Sequence, residues 1–369
     1  MIQFLTPAAL KRYRGKTCLL RVDLNVEPGA ENFTNRVDDI IPTIRMLLKQ
    51  NVRVVLLSHR GRPALKPEWK LKGLKSDWNF NTANRALSLR PLTRILQKKL
   101  KTQVHFIPYE HSWLLEPKEF LVERKEKVFL LENLRFYRGE ETNDNRFGEF
   151  LADWGDFFVN DAFAVSHRKN ASVVAITKFL PSYGGLCLKT EIQNLSAIQR
   201  YHIHPFVMVV GGAKVGDKLR LLRGIVKKAD AVLLGSSVFN EHNTPAFRAL
   251  RFPDDIKVGG NFAWDIGPHT IINYSKQVGG AKMVVWNGPL GFYEKKGFDA
   301  GTRALWHAVF ANKKAHIVIG GGETVASLRQ LKIKNSKLKI GRNVFISTGG
   351  GAMLAYLAGE KLPGIEALK

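Results

Sequence analysis

The chain has 369 residues, 45% of them hydrophobic and 24% charged, with a formal net charge of +25. That length favours two domains or three over one, and the composition excludes a disordered or low-complexity chain. The cationic excess points to anionic partners such as phosphorylated metabolites, nucleotides or nucleic acid, or to solubility alone. Two cysteines, Cys18 and Cys187, cannot build a disulfide framework or a thiolate zinc site. The N-terminal residues lack the basic-then-apolar pattern of a secretory leader, and no apolar run has the length of a membrane span. The expectation is a cytoplasmic protein.

In chain order, short apolar runs at 17–22, 52–57, 128–131, 157–160, 206–210, 231–234, 283–286, 316–319 and 344–346 read as strands. Helical periodicity falls between them, for example over 218–229 and 324–330. Strands alternating with helices predict an α/β fold with doubly wound, mostly parallel sheets. The strand number is too large for one small sheet, so two such domains are expected. The breaker cluster Pro181-Ser182-Tyr183-Gly184-Gly185, a helical stretch to Arg200 and Pro205 mark the boundary region. Residues 64–88 stand apart, with Lys66, Lys70, Lys72 and Lys75 among Trp69, Trp78 and Phe80. Basic residues interleaved with aromatics can hold single-stranded nucleic acid, but one short loop reads better as a surface insertion.

Chemistry concentrates at strand ends. Glycine clusters follow three strands of the second half: Gly211-Gly212-Ala213-Lys214, Gly320-Gly321-Gly322-Glu323-Thr324 and Ser347-Thr348-Gly349-Gly350-Gly351. A strand–glycine–helix junction lets backbone N–H groups approach an anion at a helix start. Three such junctions, one followed by lysine, point to an oligophosphate. In the first half, Arg21, Arg36, Arg62, Arg135 and Arg168 recur at strand ends, with His59 and His167 nearby. Arginine forks bind carboxylate and phosphate bidentately. One half therefore reads as a site for an anionic metabolite and the other as a site for a nucleotide. The run Gly15-Lys16-Thr17 is not a P-loop, because the strand follows it instead of preceding it.

The ordered runs RVDLNV (21–26), SHRGRP (58–63), LLENLRF (130–136), NDAFAVSHR (160–168), GGAKVGDK (211–218), WDIGP (264–268), VVWNGPLG (284–291), GGGETVA (320–326) and STGGGA (347–352) resemble the phosphoglycerate kinase family. The resemblance covers most of the chain. It implies a phosphotransferase with a carboxyl acceptor, moving a phosphoryl group between 1,3-bisphosphoglycerate and ADP. It also implies a phosphoglycerate-binding domain over 1–182, an interdomain helix over 183–204 with a hinge, a nucleotide-binding domain over 205–350, and a segment, 351–369, returning toward the first domain. Asp23, Asn25, Arg36, His59, Arg62, Arg135 and Arg168 would contact phosphoglycerate. Gly212, Ala213, Lys214, Lys218, Gly235, Asn287, Pro289, Glu294, Gly321, Gly322, Glu323 and Thr324 would hold ADP or ATP, with Glu323 toward Mg²⁺. Arg36, Lys214, Gly349 and Gly350 would surround the transferring phosphoryl. The protein would act as a monomer on small molecules, with no membrane and at most non-specific nucleic acid.

Departures from the family pattern carry expectations of their own. Gly235-Ser236-Ser237 replaces a run of glycines beside the adenine, and residues 239–263 are fewer than usual, so a weaker nucleotide wall is expected. Glu323 stands in place of aspartate, and Arg60 in place of leucine, which would add charge beside the anion site. Ala164, Val165 and Asn170 replace family Gly, Thr and His. The alternatives are a phosphoglycerate-binding relic with impaired catalysis, or a basic nucleic-acid-binding protein on the same scaffold.

Overall fold

The computed structural model describes residues 2–27, 36–63, 85–109, 116–200, 203–241, 245–333 and 343–369. The greater part of the 64–88 insertion therefore lies outside the described residues. The chain divides into two compact units, Met1–Thr190 with Lys361–Lys369, and Glu191–Glu360. The division falls inside the helix Leu186–Arg200.

The first unit is built on strands β1 (Thr17–Arg21), β2 (Arg53–Leu57), β3 (Val104–Ile107), β4 (Val128–Leu131), β5 (Phe157–Asn160) and β6 (Ser182–Gly184). They form one parallel sheet in the order β3-β4-β2-β1-β5-β6. β1, β4 and β5 are buried along their whole length, as expected of parallel strands covered on both faces. The helix Arg36–Lys49 buries Val37, Ile40, Ile41, Ile44 and Leu47, a 3.6-residue stripe that seats it on the core and leaves Arg36 at its start. The C-terminal residues belong to this unit: the Asn160 amide donates to the Gly364 carbonyl (3.1 Å), and Gly364 N–H to Ser166 O (2.8 Å).

The second unit carries β7 (Phe206–Val210), β8 (Ala231–Leu234), β9 (Leu250–Arg251), β12 (Met283–Asn287), β13 (His316–Gly320) and β14 (Val344–Ile346). The parallel order is β14-β13-β12-β7-β8-β9. β10 (Ile256–Gly259) and β11 (Phe262–Ile266) form a separate antiparallel ribbon. Trp286 and Trp306, both fully buried, pack at 4.6 Å between centroids in the core of this unit.

All nine expected strands are present. Those not expected are β3, β6, β9, β10 and β11. β3 is only half-buried at its centre, β6 contains serine and glycine, β9 has two residues, β10 is exposed, and β11 is interrupted by the buried Asp265, so none shows a continuous apolar run. The helix expected over 218–229 is instead two short ones, Val215–Leu221 and Arg223–Val226, with Leu222 outside helical geometry between them. Gly224 in the second is a poor helix former.

Candidate active site

In each sheet the order reverses beside the first strand of the unit, between β1 and β5 and between β7 and β12. Ligands of open α/β sheets bind at the carboxyl ends of strands near such a reversal. The arginines of the first unit follow β1, β2, β4 and β5, and the glycine loops of the second follow β7, β12, β13 and β14, so both sets gather at the carboxyl edges that contain these points.

In the first unit, Arg21 ends β1, and its guanidinium is enclosed. Nε donates to Ser172 Oγ (2.8 Å), one amine lies 3.2 Å from His59 Nδ1, and another donates to the Val22 carbonyl. The fully buried Glu140 lies 3.9 Å from Arg21 and accepts from Ser172 N (2.9 Å), Ser172 Oγ (2.7 Å) and the Asn170 amide (3.2 Å). Asn170, one of the departures from the family pattern, thus finds a buried partner. Arg21 braces His59 from behind and does not line an open anion site. His59 is buried, and burial together with Arg21, Arg135, Arg168 and Arg36 drives its pKa well below the ordinary histidine value. The ring is neutral. With Nδ1 facing the Arg21 amine, the acceptor is Nδ1 and the proton sits on Nε2.

Asp23 pairs with Arg36 and accepts from Asn25 N (3.0 Å), and Asn25 Oδ1 accepts from Gly61 N (2.8 Å). Gly61 has φ +60°, a conformation open to glycine. Arg135 is buried, donates to the Gly61 carbonyl, and lies 3.6 Å from Glu141. Its pKa falls to about 10, chiefly through burial and then through repulsion from Arg168 and Arg21. Arg168 is half-buried and likewise lowered, by burial and by Arg62, which is exposed. Arg60 does not add its charge to this site. Its guanidinium turns inward, with Nε donating to Val26 O (2.7 Å) and an amine to Ser88 O (2.9 Å), because these carbonyls offer a buried cation the acceptors it needs. Asn133 ties the loops together, accepting from Arg60 N (3.0 Å) and Arg135 N (3.1 Å).

In the second unit, the loops after β7 and β12 are pressed together. Gly211 N–H donates to Asn287 O (3.0 Å) and Gly212 N–H to Pro289 O (2.8 Å). A Cβ on Gly211 would lie 2.0 Å from Pro289 O, and one on Gly288 (φ +93°) 1.9 Å from Gly211 O. Only glycine permits this approach. Lys214 is exposed and left-handed at φ +58°. Lys218 Nζ donates to Gly211 O (2.6 Å), and burial lowers its pKa against the opposing pull of Glu323 and Glu241. Both Glu323 and Lys218 converge on Gly212, within 3.2 and 3.4 Å of where its Cβ would be. The helix Gly322–Gln330 starts from Gly321 (φ +99°), and the helix Gly350–Leu357 starts beside it, a Cβ on Gly350 lying 3.0 Å from Gly321 Cα. Neither start has a side-chain cap, so both present backbone N–H groups and positive dipole ends. The Asn287 side-chain amide faces Gly320 and Gly321, is buried, and has no hydrogen-bond partner among the described residues.

Two site residues are placed differently from expectation. Thr324 is fully buried, and its hydroxyl accepts from Gly288 N (2.8 Å), so it braces the glycine loop instead of facing open space. The Gly349 amide is taken by Ser347 Oγ (3.2 Å), and Ser347 and Thr348 are fixed in turn by Glu191 (2.6–2.8 Å). A buried turn must satisfy its own donors, which leaves Gly350 to open the helix.

Beside these loops lies a cavity of about 320 Å³. Its lining includes Gly212, Ala213, Ser236, Pro289, Glu294 and Glu323. The short 239–263 segment still supplies a wall. The ribbon brings Phe262 and Trp264 to the cavity, Trp264 packing edge-on against Phe292 (5.1 Å between centroids), and the Asn240 side chain clamps Ala263 through its N–H and C=O (3.0 and 2.9 Å). Ser236 and Ser237 are accommodated: Ser236 N–H donates to Leu290 O (2.9 Å) and Ser237 Oγ to Gly212 O (2.7 Å). Gly235 is the tight position of the three, a Cβ there lying 3.0 Å from Gly211 Cα and 3.1 Å from Leu290 O. Glu140, Glu191, Asn240 and the ribbon aromatics escape sequence reasoning. Each is a single residue in an ordinary pattern, and its partner is far away in the chain.

A two-unit α/β protein with an arginine-rich cluster on one sheet and uncapped glycine loops beside a cavity on the other has the make-up of the class of nucleotide-dependent phosphotransferases. The sequence model of the phosphoglycerate kinase family matches residues 9–244 and 243–360. A phosphoglycerate kinase of Geotalea uraniireducens is 35% identical over 96% of both chains, and one of Thermomicrobium roseum 34% identical over 95% of both. The solved phosphoglycerate kinase of Pyrococcus horikoshii superposes with a TM-score of 0.78 at 27% identity, covering 96% of each chain. That of Coxiella burnetii gives 0.74 at 29% identity, covering 99% of this chain and 98% of its own. The chain belongs to the phosphoglycerate kinase family.

Proposed function

We propose that the protein catalyses reversible phosphoryl transfer from 1,3-bisphosphoglycerate to ADP, giving 3-phosphoglycerate and ATP. The observation that carries this reading is the pair Arg135 and Arg168 beside the neutral His59, with Arg62 next to both arginines. Beyond burial, Arg168 and Arg62 lower the pKa of Arg135, Arg62 lowers that of Arg168, and an anionic substrate would relieve the repulsion. Asp23, Asn25, Arg36, His59, Arg62, Arg135 and Arg168 bind phosphoglycerate in this reading, and His59 donates from Nε2. Lys214 and Lys218 take the nucleotide phosphates with the amides of Ala213, Gly321, Gly322 and Gly350, while Gly212 keeps its N–H on Pro289 O and lets the backbone approach them. The unpartnered Asn287 amide supplies one further donor. Gly235, Pro289 and Glu294 border the base and ribose.

The acceptor carboxylate, with a pKa of about 4, is ionised at neutral pH and needs no general base. What transfer requires is alignment, exclusion of water and positive charge around the moving phosphoryl oxygens. Arg36 and Lys214 supply that charge. Mg²⁺ fits the donor set: Glu323 is an exposed carboxylate beside Lys218, and this metal is commonly held by one or two carboxylates plus substrate phosphates. When bound, it would neutralise phosphate charge. The described residues hold no cluster of three or more ligating side chains, consistent with a metal that arrives with the nucleotide. The proposal is for a monomer working in the cytoplasm. Among the described residues no helix is long and apolar enough to cross a membrane.

The test is ATP formation from 1,3-bisphosphoglycerate and ADP by the wild type, Lys214→Ala and Arg36→Ala. Loss of one transition-state cation is expected to lower turnover by about 10²- to 10³-fold, with circular dichroism unchanged. Near-normal turnover in either variant would remove that residue from the mechanism. An inactive wild type that binds 3-phosphoglycerate in calorimetry would favour the relic.

A further inference from the structure

The helix Val215–Leu221 carries Lys218 and begins directly after Lys214, yet its own N-cap cannot cap it. That residue is Lys214, in a left-handed conformation and with no side-chain cap hydrogen bond. Lysine is a donor only and has nothing to offer the exposed N–H groups of a first turn. The acceptor comes from elsewhere. One oxygen of Glu241 accepts from Val215 N (2.7 Å) and the other from Gly216 N (2.9 Å). Both bonds are charge-assisted.

The segment bearing Glu241 is itself fastened. Its neighbour Asn240 is bonded on both sides to Ala263, and Ser237 holds the Gly212 carbonyl (2.7 Å). A carboxylate brought by the stretch where serines replace glycines therefore braces the loop that presents both lysines.

We infer that Glu241 is a positioning residue for Lys214 and Lys218, an inference that rests on their assignment to the nucleotide phosphates above. Without the carboxylate the first turn of a seven-residue helix loses two acceptors, and the lysines lose a fixed base. Glu241 also places negative charge near Lys218, so it tempers the site's cationic character while it orders it.

The experiment is steady-state ATP formation by wild type, Glu241→Ala and Glu241→Gln, varying ADP and 1,3-bisphosphoglycerate separately, with thermal unfolding measured in parallel. For Glu241→Ala the KM for ADP is expected to rise about tenfold and kcat to fall by a similar factor, in keeping with loss of charge-assisted hydrogen bonds. The KM for 1,3-bisphosphoglycerate stays within about twofold, because its site lies on the other unit. Glu241→Gln keeps one acceptor oxygen and gives an intermediate effect, and it serves as the test if the alanine variant does not fold. Both KM values moving together, or all constants staying within about twofold of wild type, would overturn the inference. A wild type that makes no ATP would overturn the kinase reading instead.

Discussion

His59 shows how one side chain's state follows from its surroundings. Burial and four neighbouring arginines lower its pKa well below that of an unfolded-chain histidine. Its neutral form is therefore the native one. Below about pH 6.5 the unfolded chain gains a proton that the folded site refuses, so this contribution to stability is complete above that pH and is lost as the pH falls. The ring C–H resonances of His59 are expected to stay fixed between about pH 6 and 8 by NMR, where an exposed histidine titrates. A titration midpoint in that window would show that the arginines do not act on the ring. Glu140 explains why so many cations are tolerated here. It is a fully buried carboxylate facing Arg21 and satisfied by Ser172 and Asn170, and a buried charge without such a partner is strongly destabilising.

At the scale of elements, the decisive feature of the second unit is the contact between two loops. Gly211 and Gly288 pass so closely that a methyl group on either would overlap a carbonyl oxygen, at 2.0 and 1.9 Å. Gly288→Ala is also strained at φ +93°. Both Gly211→Ala and Gly288→Ala are expected to displace the β7 and β12 loops and to lower ADP affinity, read by calorimetry, by about tenfold or more, while binding of 3-phosphoglycerate is kept. Unchanged ADP affinity would mean that these loops do not form the phosphate site. The glycine clusters themselves were legible as strand–loop–helix junctions because glycine and a preceding apolar run leave a local signature. Which glycine is needed for close approach was not, since that depends on a partner about 77 residues away in the chain, here Gly211 against Gly288. The ribbon β10–β11 left no signal either, since β10 is exposed and the apolar residues of β11 are broken by Asp265. It nonetheless brings Phe262 and Trp264 to the cavity.

At the scale of the whole molecule, the net charge of +25 is only partly accounted for by the site. Arg21 and Arg60 are spent internally, while Arg62, Arg135 and Arg168 are the cations proposed for the phosphoglycerate site. The rest of the excess would give weak, non-specific attraction to polyanions. Binding to a single-stranded RNA is expected to weaken steeply between about 50 and 200 mM salt and to be absent near the upper end. Tight, salt-resistant binding would revive the nucleic-acid reading.

Apolar runs determine strands, glycines after them determine loops, and arginines after them mark anion sites, because each rule acts within a few residues. The α/β class and the main strands were therefore fixed by local order alone, and the two kinds of half-site remained a proposal. Which arginine turns inward depended on where acceptor carbonyls lay in the fold, as Val26 and Ser88 do for Arg60. So did the neutrality of His59, the bracing role of Thr324 and the cap that Glu241 gives a distant helix. Those are properties of neighbours brought together from far along the chain, and only the tertiary structure supplies them.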